Sequence, residues 1–334
     1  MIISKIKTER YIYFNMHAEE VVTSNFIKDD NAGIYCDRLQ IETVQRIIDS
    51  LEGESNKTVV FDFSDIVDCQ ANLQKRLISL KNDEYKILLL NLNKNLCSEL
   101  SLDSIKNLKN SEDEDCYLKF FMFEDDGDVT TELEINTPKL FENEFKNRIK
   151  NYIVKEHNEP HTSSFVYLIG FVDMKRFISY EKAFMMYSLY KLALKIKKEL
   201  KDQLNEKPIL VCQSLNSAYL VSILSTLLGL DIIIFDKIGP VNKLYNRLDS
   251  RILDKRKYIV VSDLVCLGTE VKIVKNLIHF IGGKCLGNIS LIKTETLSKA
   301  HIKKVNATIA IFSIKKENNK ELGYTITTDL EPVS

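Results

Sequence analysis

The stretch Tyr258–Val271, YIVVSDLVCLGTEV, is the clearest indication of architecture in this chain. It predicts a buried strand over 258–262, then Asp263 at the carboxyl end of that strand, a tight loop with Gly268, and a helix from Thr269. In open parallel sheets ligands bind at the carboxyl ends of strands, and this order places a carboxylate and several backbone N–H groups there. Because the positive end of the helix points at the loop, the stretch favours a bound phosphate.

Apolar runs on both sides of this stretch alternate with helical patterns. Further strands are predicted over 208–212, 231–235, 286–292 and 307–313, and helices over 140–152, 179–204, 216–228 and 269–281. A run at 165–172 is also expected to be a strand. Strands that alternate with helices predict an α/β fold with a mainly parallel, doubly wound sheet that helices cover on both faces.

The first part of the chain predicts a smaller α/β domain over residues 1–135. Its strands are expected at 11–14, 58–63, 85–92 and 117–123, and its helices at 41–51 and 73–80. The runs Val59–Phe63 and Lys86–Leu90 are aliphatic at nearly every position, which predicts adjacent strands buried on two faces. Acidic and turn residues over 124–136 predict a boundary near Pro138, so that residues 139–334 form the second domain.

Composition excludes several classes of function. The 334 residues have a net charge of −1, a charged fraction of 28% and a hydrophobic fraction of 45%, so neither nucleic acid nor a membrane is expected as a partner. The seven cysteines are scattered without a Cys-x-x-Cys pair, which predicts a reduced, cytoplasmic protein without disulfides. The five histidines have no metal-ligand spacing, and no protein metal site is expected.

Residues Ser262–Thr269 resemble the phosphoribosyl-pyrophosphate (PRPP) loop of type I phosphoribosyltransferases. The orotate enzymes are the most similar, with the loop Asp-Asp-Val-Ile-Ser-Ala-Gly-Thr. In this chain Ser262 replaces the first carboxylate of the family's acidic pair. The resemblance extends over roughly 160–293, where Ser163-Ser164 occupies the place of a base-contacting Ser-Gly, and it implies the family's parallel sheet.

The resemblance implies roles for the loop residues. Asp263 would hold the ribose hydroxyls, and the alternative is a carboxylate that only caps a helix or turn. The residues that would hold the 5′-phosphate are Cys266, Leu267, Gly268 and Thr269. An ordinary strand–turn–helix connection is the alternative for these four, because such a turn often requires glycine. Glu270 adds a negative charge beside the expected phosphate.

Two further segments correspond to the pyrophosphate side of the family's site. Gln213–Ser217 occupies the place of the pyrophosphate loop, where Ser214 and Asn216 could donate hydrogen bonds; a polar N-cap is the alternative. Lys237 matches a family lysine, although Asp236 replaces the family's arginine and Pro240 its second lysine.

The loop from Gly239 to Arg256 corresponds to the family's mobile hood, and its cations could replace the missing charge or form a solvated surface. These cations are Lys243, Arg247, Arg251, Lys255 and Arg256.

The N-terminal domain resembles the STAS fold of sulfate transporters and anti-sigma-factor antagonists. A strand ending at Asp62-Phe63-Ser64 precedes the turn Asp68–Ala71, which lacks the serine that family members phosphorylate. A generic small α/β domain is the alternative.

Two functions remain open at this point. One is a phosphoribosyltransferase-like protein of nucleotide metabolism that binds PRPP or a nucleotide, with a regulatory role or a degenerate catalytic site. Its N-terminal domain would bind a protein partner, and the chain could form a homodimer. The alternative is an active phosphoribosyltransferase that transfers phosphoribosyl from PRPP to a nitrogenous base. Mg²⁺ is expected only if PRPP binds.

Overall fold

The structure, a computed structural model, describes residues 1–27, 33–54, 58–83, 85–101, 109–110, 116–121, 135–154, 167–169, 171–235, 256–266, 268–295, 308–315 and 325–327. The chain divides into two compact units, Met1–Phe141 and Glu142–Ser334. The division falls within the helix Thr137–Ile149, a few residues behind Pro138.

The first unit contains short strands and four described helices. Its strands are β1 Ile6–Lys7, β2 Tyr11–Asn15, β3 Arg38–Leu39, β4 Thr58–Asp62, β5 Asp68–Cys69, β6 Lys86–Asn93, β7 Lys109–Asn110 and β8 Cys116–Phe121. Its helices among the described residues are α1 Met16–Ile27, α2 Ile41–Asp49, α3 Leu73–Asn82 and α4 Lys94–Glu99.

Within the described residues of this unit, six strands form a mixed sheet in the order β1-β2-β4-β6-β8-β7. The central strands β2, β4 and β6 are parallel, and the strands at both edges are antiparallel. Val59 pairs with Ile87, so the expected neighbouring strands are confirmed. Both residues are fully buried, as expected of a central strand that is covered on two faces.

The helix α5, Thr137–Ile149, spans the division between the units, and a 3-10 turn follows it at Lys150–Tyr152. The strands of the second unit are β9 Ile153–Val154, β10 Tyr167–Ile169, β11 Phe171–Val172, β12 Ile209–Cys212, β13 Ile232–Ile234, β14 Lys257–Val265, β15 Lys284–Glu295, β16 Thr308–Lys315 and β17 Thr325–Thr327. Its further helices are α6 Met174–Tyr180, α7 Lys182–Glu199, α8 Lys201–Leu204, α9 Leu215–Leu228 and α10 Thr269–Phe280.

The described strands of this unit include a five-stranded sheet in the order β13-β12-β14-β15-β16, and all of its neighbours are parallel. The expected mixed α/β architecture with a parallel sheet is therefore confirmed. One face of the sheet packs against α10 through a buried cluster that includes Val211, Val260 and Val274. The alternate positions Leu210 and Ile259 are also fully buried, so the sheet is covered on both faces.

The single helix predicted over 179–204 is wrong, since α6, α7 and α8 replace it. The backbone leaves helical geometry at Glu181, which has φ −100° and ψ 40°. The Glu181 carboxylate accepts hydrogen bonds from Arg148 Nη1 at 2.6 Å and from the Tyr152 hydroxyl at 3.1 Å. These contacts lie far away in sequence, and an apolar pattern does not reveal them.

No helix within the described part of the chain combines the length and the apolar character that a membrane crossing requires.

Candidate functional site

Strand β14 is longer than the sequence pattern predicted. Asp263 was expected to end the strand, but the strand continues to Val265. The reason is the neighbouring β15, which keeps the backbone paired through Leu264 with Ile292 and Val265 with Lys293. On its other side β14 pairs with β12 only as far as Val260. Asp263 therefore lies past the end of β12, at the carboxyl edge where α9 begins.

The Asp263 carboxylate is bonded to the first turn of α9. Its Oδ2 accepts a hydrogen bond from Asn216 Nδ2 at 3.0 Å, and its Oδ1 accepts a longer one from Ser217 Oγ at 3.4 Å. The backbone N–H of Asp263 donates to the same Ser217 hydroxyl at 3.1 Å. Because both carboxylate oxygens have donors from one helix turn, this turn fixes the direction of the carboxylate.

Ser214 is the N-cap of α9. It has extended backbone geometry, with φ −121° and ψ 156°, and its hydroxyl accepts the backbone N–H of Ser217 at 3.1 Å. The same hydroxyl donates to Ser217 Oγ at 2.8 Å. Ser214, Asn216, Ser217 and Asp263 thus form one hydrogen-bonded group, which we call the α9 network. Its geometry corresponds to the N-cap alternative for Gln213–Ser217.

Gly268 precedes α10 and has a left-handed backbone, with φ 71° and ψ 17°. It supplies no side-chain cap for the helix, and its carbonyl accepts the first helical hydrogen bond from Lys272 N at 2.9 Å. A Cβ built on Gly268 would find Val265 Cγ1 at 4.0 Å as its nearest neighbour. Glycine is therefore required by the backbone angle and not by crowding. Among the residues that the structure describes, apart from the two chain neighbours of Gly268, no other atom lies within 4 Å of this Cβ position.

Two cysteine thiols lie near this edge. Burial raises the pKa of Cys266 to about 11, against the lowering effect of a hydrogen bond with Thr294. Burial also raises the pKa of Cys212 to about 11, and the negative charge of Asp263 adds to the increase. Both thiols are consequently protonated near pH 7, which does not suit a nucleophile.

The structure places the predicted site residues in two groups. Ser214, Asn216 and Asp263 come together in the α9 network, while Gly268 and Thr269 lie at the start of α10. Cys266 follows directly after β14. Leu267, Lys237, Asp236, Pro240, Ser163, Ser164 and the loop 239–255 lie outside the described residues.

Sequence reasoning missed Ser217, which bonds to both the carboxylate and the backbone of Asp263. It also missed Ser290 of β15, whose hydroxyl donates to the Asp263 carbonyl at 3.3 Å. The spacing of Ser214 and Ser217 indicates the N-cap contact between these two serines and carries no signal for the contact of Ser217 with Asp263, which lies 46 positions away. The second contact depends on strand pairing, and local sequence carries no signal for it.

Among the described residues, no group of three or more His, Cys, Asp and Glu side chains could hold a metal ion. The α9 network at the carboxyl edge contains one carboxylate, that of Asp263.

Comparisons with known proteins gave a likeness in structure alone. No protein-family model matches the chain, and no curated protein matches it in sequence. Adenine phosphoribosyltransferase from Thermoanaerobacter pseudethanolicus is 16% identical, with 50% of this chain and 99% of that chain covered and a TM-score of 0.38.

Two further solved structures are similar to a comparable extent. Orotate phosphoribosyltransferase from Aeropyrum pernix is 12% identical, with 50% of this chain and 93% of that chain covered and a TM-score of 0.36. An HGPRT-ase from Leishmania tarentolae in complex with GMP is 18% identical, with 39% and 77% covered and a TM-score of 0.31. Each of these likenesses covers half of this chain or less.

Proposed function

We propose that the second unit binds a phosphoribosyl compound, PRPP or a nucleotide, at the carboxyl edge of its parallel sheet, and that it does not transfer the phosphoribosyl group. The observation that carries the proposal is the turn before α10. Gly268 has a positive φ, the nearest described atom to its Cβ position is Val265 Cγ1 at 4.0 Å, and a 12-residue helix starts directly after it at this edge. Backbone N–H groups at such a helix start favour a phosphate.

Asp263 supports the ribose part of the proposal. It lies two positions before the end of the strand that leads into this turn, and a carboxylate can accept two hydroxyl hydrogen bonds. Its present donors, Asn216 and Ser217, are neutral side chains. Ribose hydroxyls can replace these two donors, and no ion pair is broken when they do. Such a replacement is compatible with reversible binding.

The charges of the chain argue against transfer. A departing pyrophosphate carries several negative charges, and catalysis of this kind depends on fixed cations and Mg²⁺. This chain has Ser262 in place of a carboxylate, Asp236 in place of an arginine and Pro240 in place of a lysine. Any Mg²⁺ would be held mainly by the phosphate oxygens of PRPP.

The first unit has its own sheet and core, and we propose that it binds a protein partner, as the STAS resemblance implies. In this proposal the second unit binds a nucleotide, and the first unit binds a protein partner in response. The chain could act in this way as a homodimer. A pull-down tests the docking role by comparing the natural chain with a variant in which the charges of Asp65 and Asp68 are reversed. If both chains capture the same partners, the docking role is contradicted.

The binding proposal is tested by calorimetry on the intact chain. We expect heat of binding with at least one of the four ribonucleoside 5′-monophosphates or with PRPP in the presence of Mg²⁺. The Gly268→Val variant should lose this binding. If none of these five compounds binds the folded natural chain, the proposed function is wrong.

A further inference from the structure

One face of the second unit's parallel sheet carries α10, and we call it the α10 face. The helix lies over β14 and β15. The core cluster on this face contains Val211 of β12 and Val260 of β14, and α10 contributes Val274 to it. The helix α9 also contacts β12 and β14, but none of its described residues belongs to this cluster. The helix α9 therefore lies on the opposite face.

The two flanks of α10 point toward different strands. On one flank Lys275 Nζ donates a hydrogen bond to Asn288 Oδ1 of β15 at 3.0 Å, so this flank points away from β12. Ile273 and Leu277 each lie two positions from Lys275, which is about 200° around an α-helix. Their flank therefore points in the other direction, toward β12 and the edge strand β13.

This second flank is apolar and exposed. Ile273 is 44% exposed and Phe280, two turns later on the same flank, is 66% exposed, while Leu277 between them is partly buried. Ile233 of β13 is also only partly buried against the core cluster. These four residues border the part of the α10 face over β12 and β13, which we call the β13 strip. Because helices cover both faces of a doubly wound sheet, this strip requires an occupant.

The strand order indicates which part of the chain crosses the strip. Connections between parallel strands of one sheet are right-handed in about 98% of cases. The step from β14 to β15 carries α10, and the step from β12 to β13 runs in the opposite direction along the sheet and carries α9 on the opposite face. The step from β13 to β14 runs in the same direction as the step from β14 to β15. A right-handed connection from β13 to β14 therefore crosses the α10 face, over β12.

That connection contains residues 236–255, which lie outside the described part of the chain, and its sequence has the pattern that such a crossover requires. A crossover between parallel strands needs about a dozen residues or more and is usually a helix. Apolar residues recur with the i, i+3, i+4, i+7, i+11 spacing of one helix face at Val241, Leu244, Tyr245, Leu248 and Ile252. The opposite side of the same pattern is polar, with Asn242, Lys243, Asn246, Arg247 and Ser250.

From this arrangement we propose that the occupant of the β13 strip is the chain's own segment 236–255, with the apolar side of its helical pattern against the strip. Lys243 and Arg247 then point to solvent on the outer side of the α10 face. They do not lie at the carboxyl edge, where the resemblance places the family's hood. The proposal is independent of the proposed function, since it concerns a face of the sheet and not the ligand edge.

Hydrogen exchange on the intact chain tests this proposal. We expect the amides of 241–252 to exchange at least tenfold more slowly than those of an unstructured peptide of the same sequence. Ile273→Asp on α10 and Leu248→Asp in the segment should each raise the exchange rate severalfold, because each places a charge in the apolar contact. The matched controls Asn276→Asp and Asn246→Asp place the same charge on the polar side of each pattern and should leave the rate unchanged.

Fluorescence gives a second measurement that does not depend on the aspartate variants. The chain contains no tryptophan, so Tyr245→Trp places a single reporter on the apolar side of the segment, and Asn246→Trp places one on the polar side. Acrylamide should quench the first reporter severalfold less than the second. Equal quenching of the two reporters contradicts the proposal.

The exchange experiment has two outcomes that overturn the proposal. One is exchange of 241–252 at the rate of the unstructured peptide in the natural chain. The other is equal protection of these amides in the natural chain and in Ile273→Asp, while β14 keeps its protection. If sedimentation velocity then shows a dimer that dissociates in Ile273→Asp, a second copy of the chain occupies the strip instead. Both outcomes leave the proposed ligand binding standing.

Discussion

At the scale of single residues, Asp263 and Gly268 explain most of the site. The carboxylate of Asp263 is bound to the first turn of α9, and Gly268 has the left-handed backbone from which α10 starts. These residues are five positions apart in sequence, yet they serve the starts of two different helices. The separation follows from the extra length of β14, which carries Asp263 past the end of β12.

Gly268→Val should abolish binding of the phosphorylated ligand. Valine is β-branched and resists a φ of 71°, and its side chain would occupy the side of the turn where the phosphate is proposed to bind. The control is Gly229→Val, because Gly229 also has a left-handed backbone, with φ 63°, and open space around its Cβ position. Both variants should lose about 1–3 kcal/mol of stability. Calorimetry should find binding lost only at Gly268, and equal affinities in the two variants would place the ligand elsewhere.

The Cys266 thiol should react slowly with iodoacetamide. Its pKa is raised by burial to about 11 from an ordinary value of 9.0, so at pH 8 it has about a hundredfold less thiolate than an ordinary cysteine. The alkylation rate, followed by mass spectrometry of the peptide that contains Cys266, should keep rising through pH 10. A rate that levels off below pH 9 would contradict the raised pKa.

At the scale of elements, the sequence predicted the order of strands and helices in the second unit well. The strands β12, β13, β14 and β15 correspond to apolar runs that alternate with helical patterns. Both kinds of pattern can be read from local sequence. The length of β14 was missed, because its last residues are paired through β15, a contact that local sequence does not encode. The break of the helix at Glu181 was missed for a similar reason, since Arg148 and Tyr152 hold its side chain from a distance.

The candidate site was predicted in part by the same logic. The glycine turn and the helix start follow from residue types. Asn216 was expected to donate to a pyrophosphate because it occupies the place of the family's pyrophosphate loop, and the structure shows it donating to Asp263. The orientation of Asp263 toward Asn216 and Ser217 could not be predicted, because it depends on how far one strand extends past its neighbour.

Ser214→Ala should destabilise the second unit by about 1 kcal/mol, because the N-cap hydroxyl of α9 accepts the Ser217 N–H. The matched control is Ser222→Ala on the exposed face of the same helix, which should change the free energy of unfolding by less than about 0.5 kcal/mol. Denaturant unfolding measures both. An equal effect at the two positions would mean that the cap does not stabilise α9.

At the scale of the whole molecule, the chain combines a mixed sheet in the first unit with a parallel sheet in the second. The second unit provides a helix start and a carboxylate at one edge, and these two features support the proposal that it binds a phosphorylated sugar. Transfer of the sugar would require cations to disperse the charge of the leaving group, and the resemblance implies that Asp236 and Pro240 stand where the family has an arginine and a lysine. We therefore propose a binding module, and an assay for transfer distinguishes it from a transferase.

The most direct test is the release of pyrophosphate from PRPP by the intact chain, with Mg²⁺ and with orotate, adenine, guanine, hypoxanthine or uracil as acceptor. The account predicts that no acceptor produces pyrophosphate above the rate without protein, although the same preparation binds PRPP or a ribonucleoside 5′-monophosphate by calorimetry. Turnover on the order of 1 s⁻¹ or faster with any of these bases would contradict it.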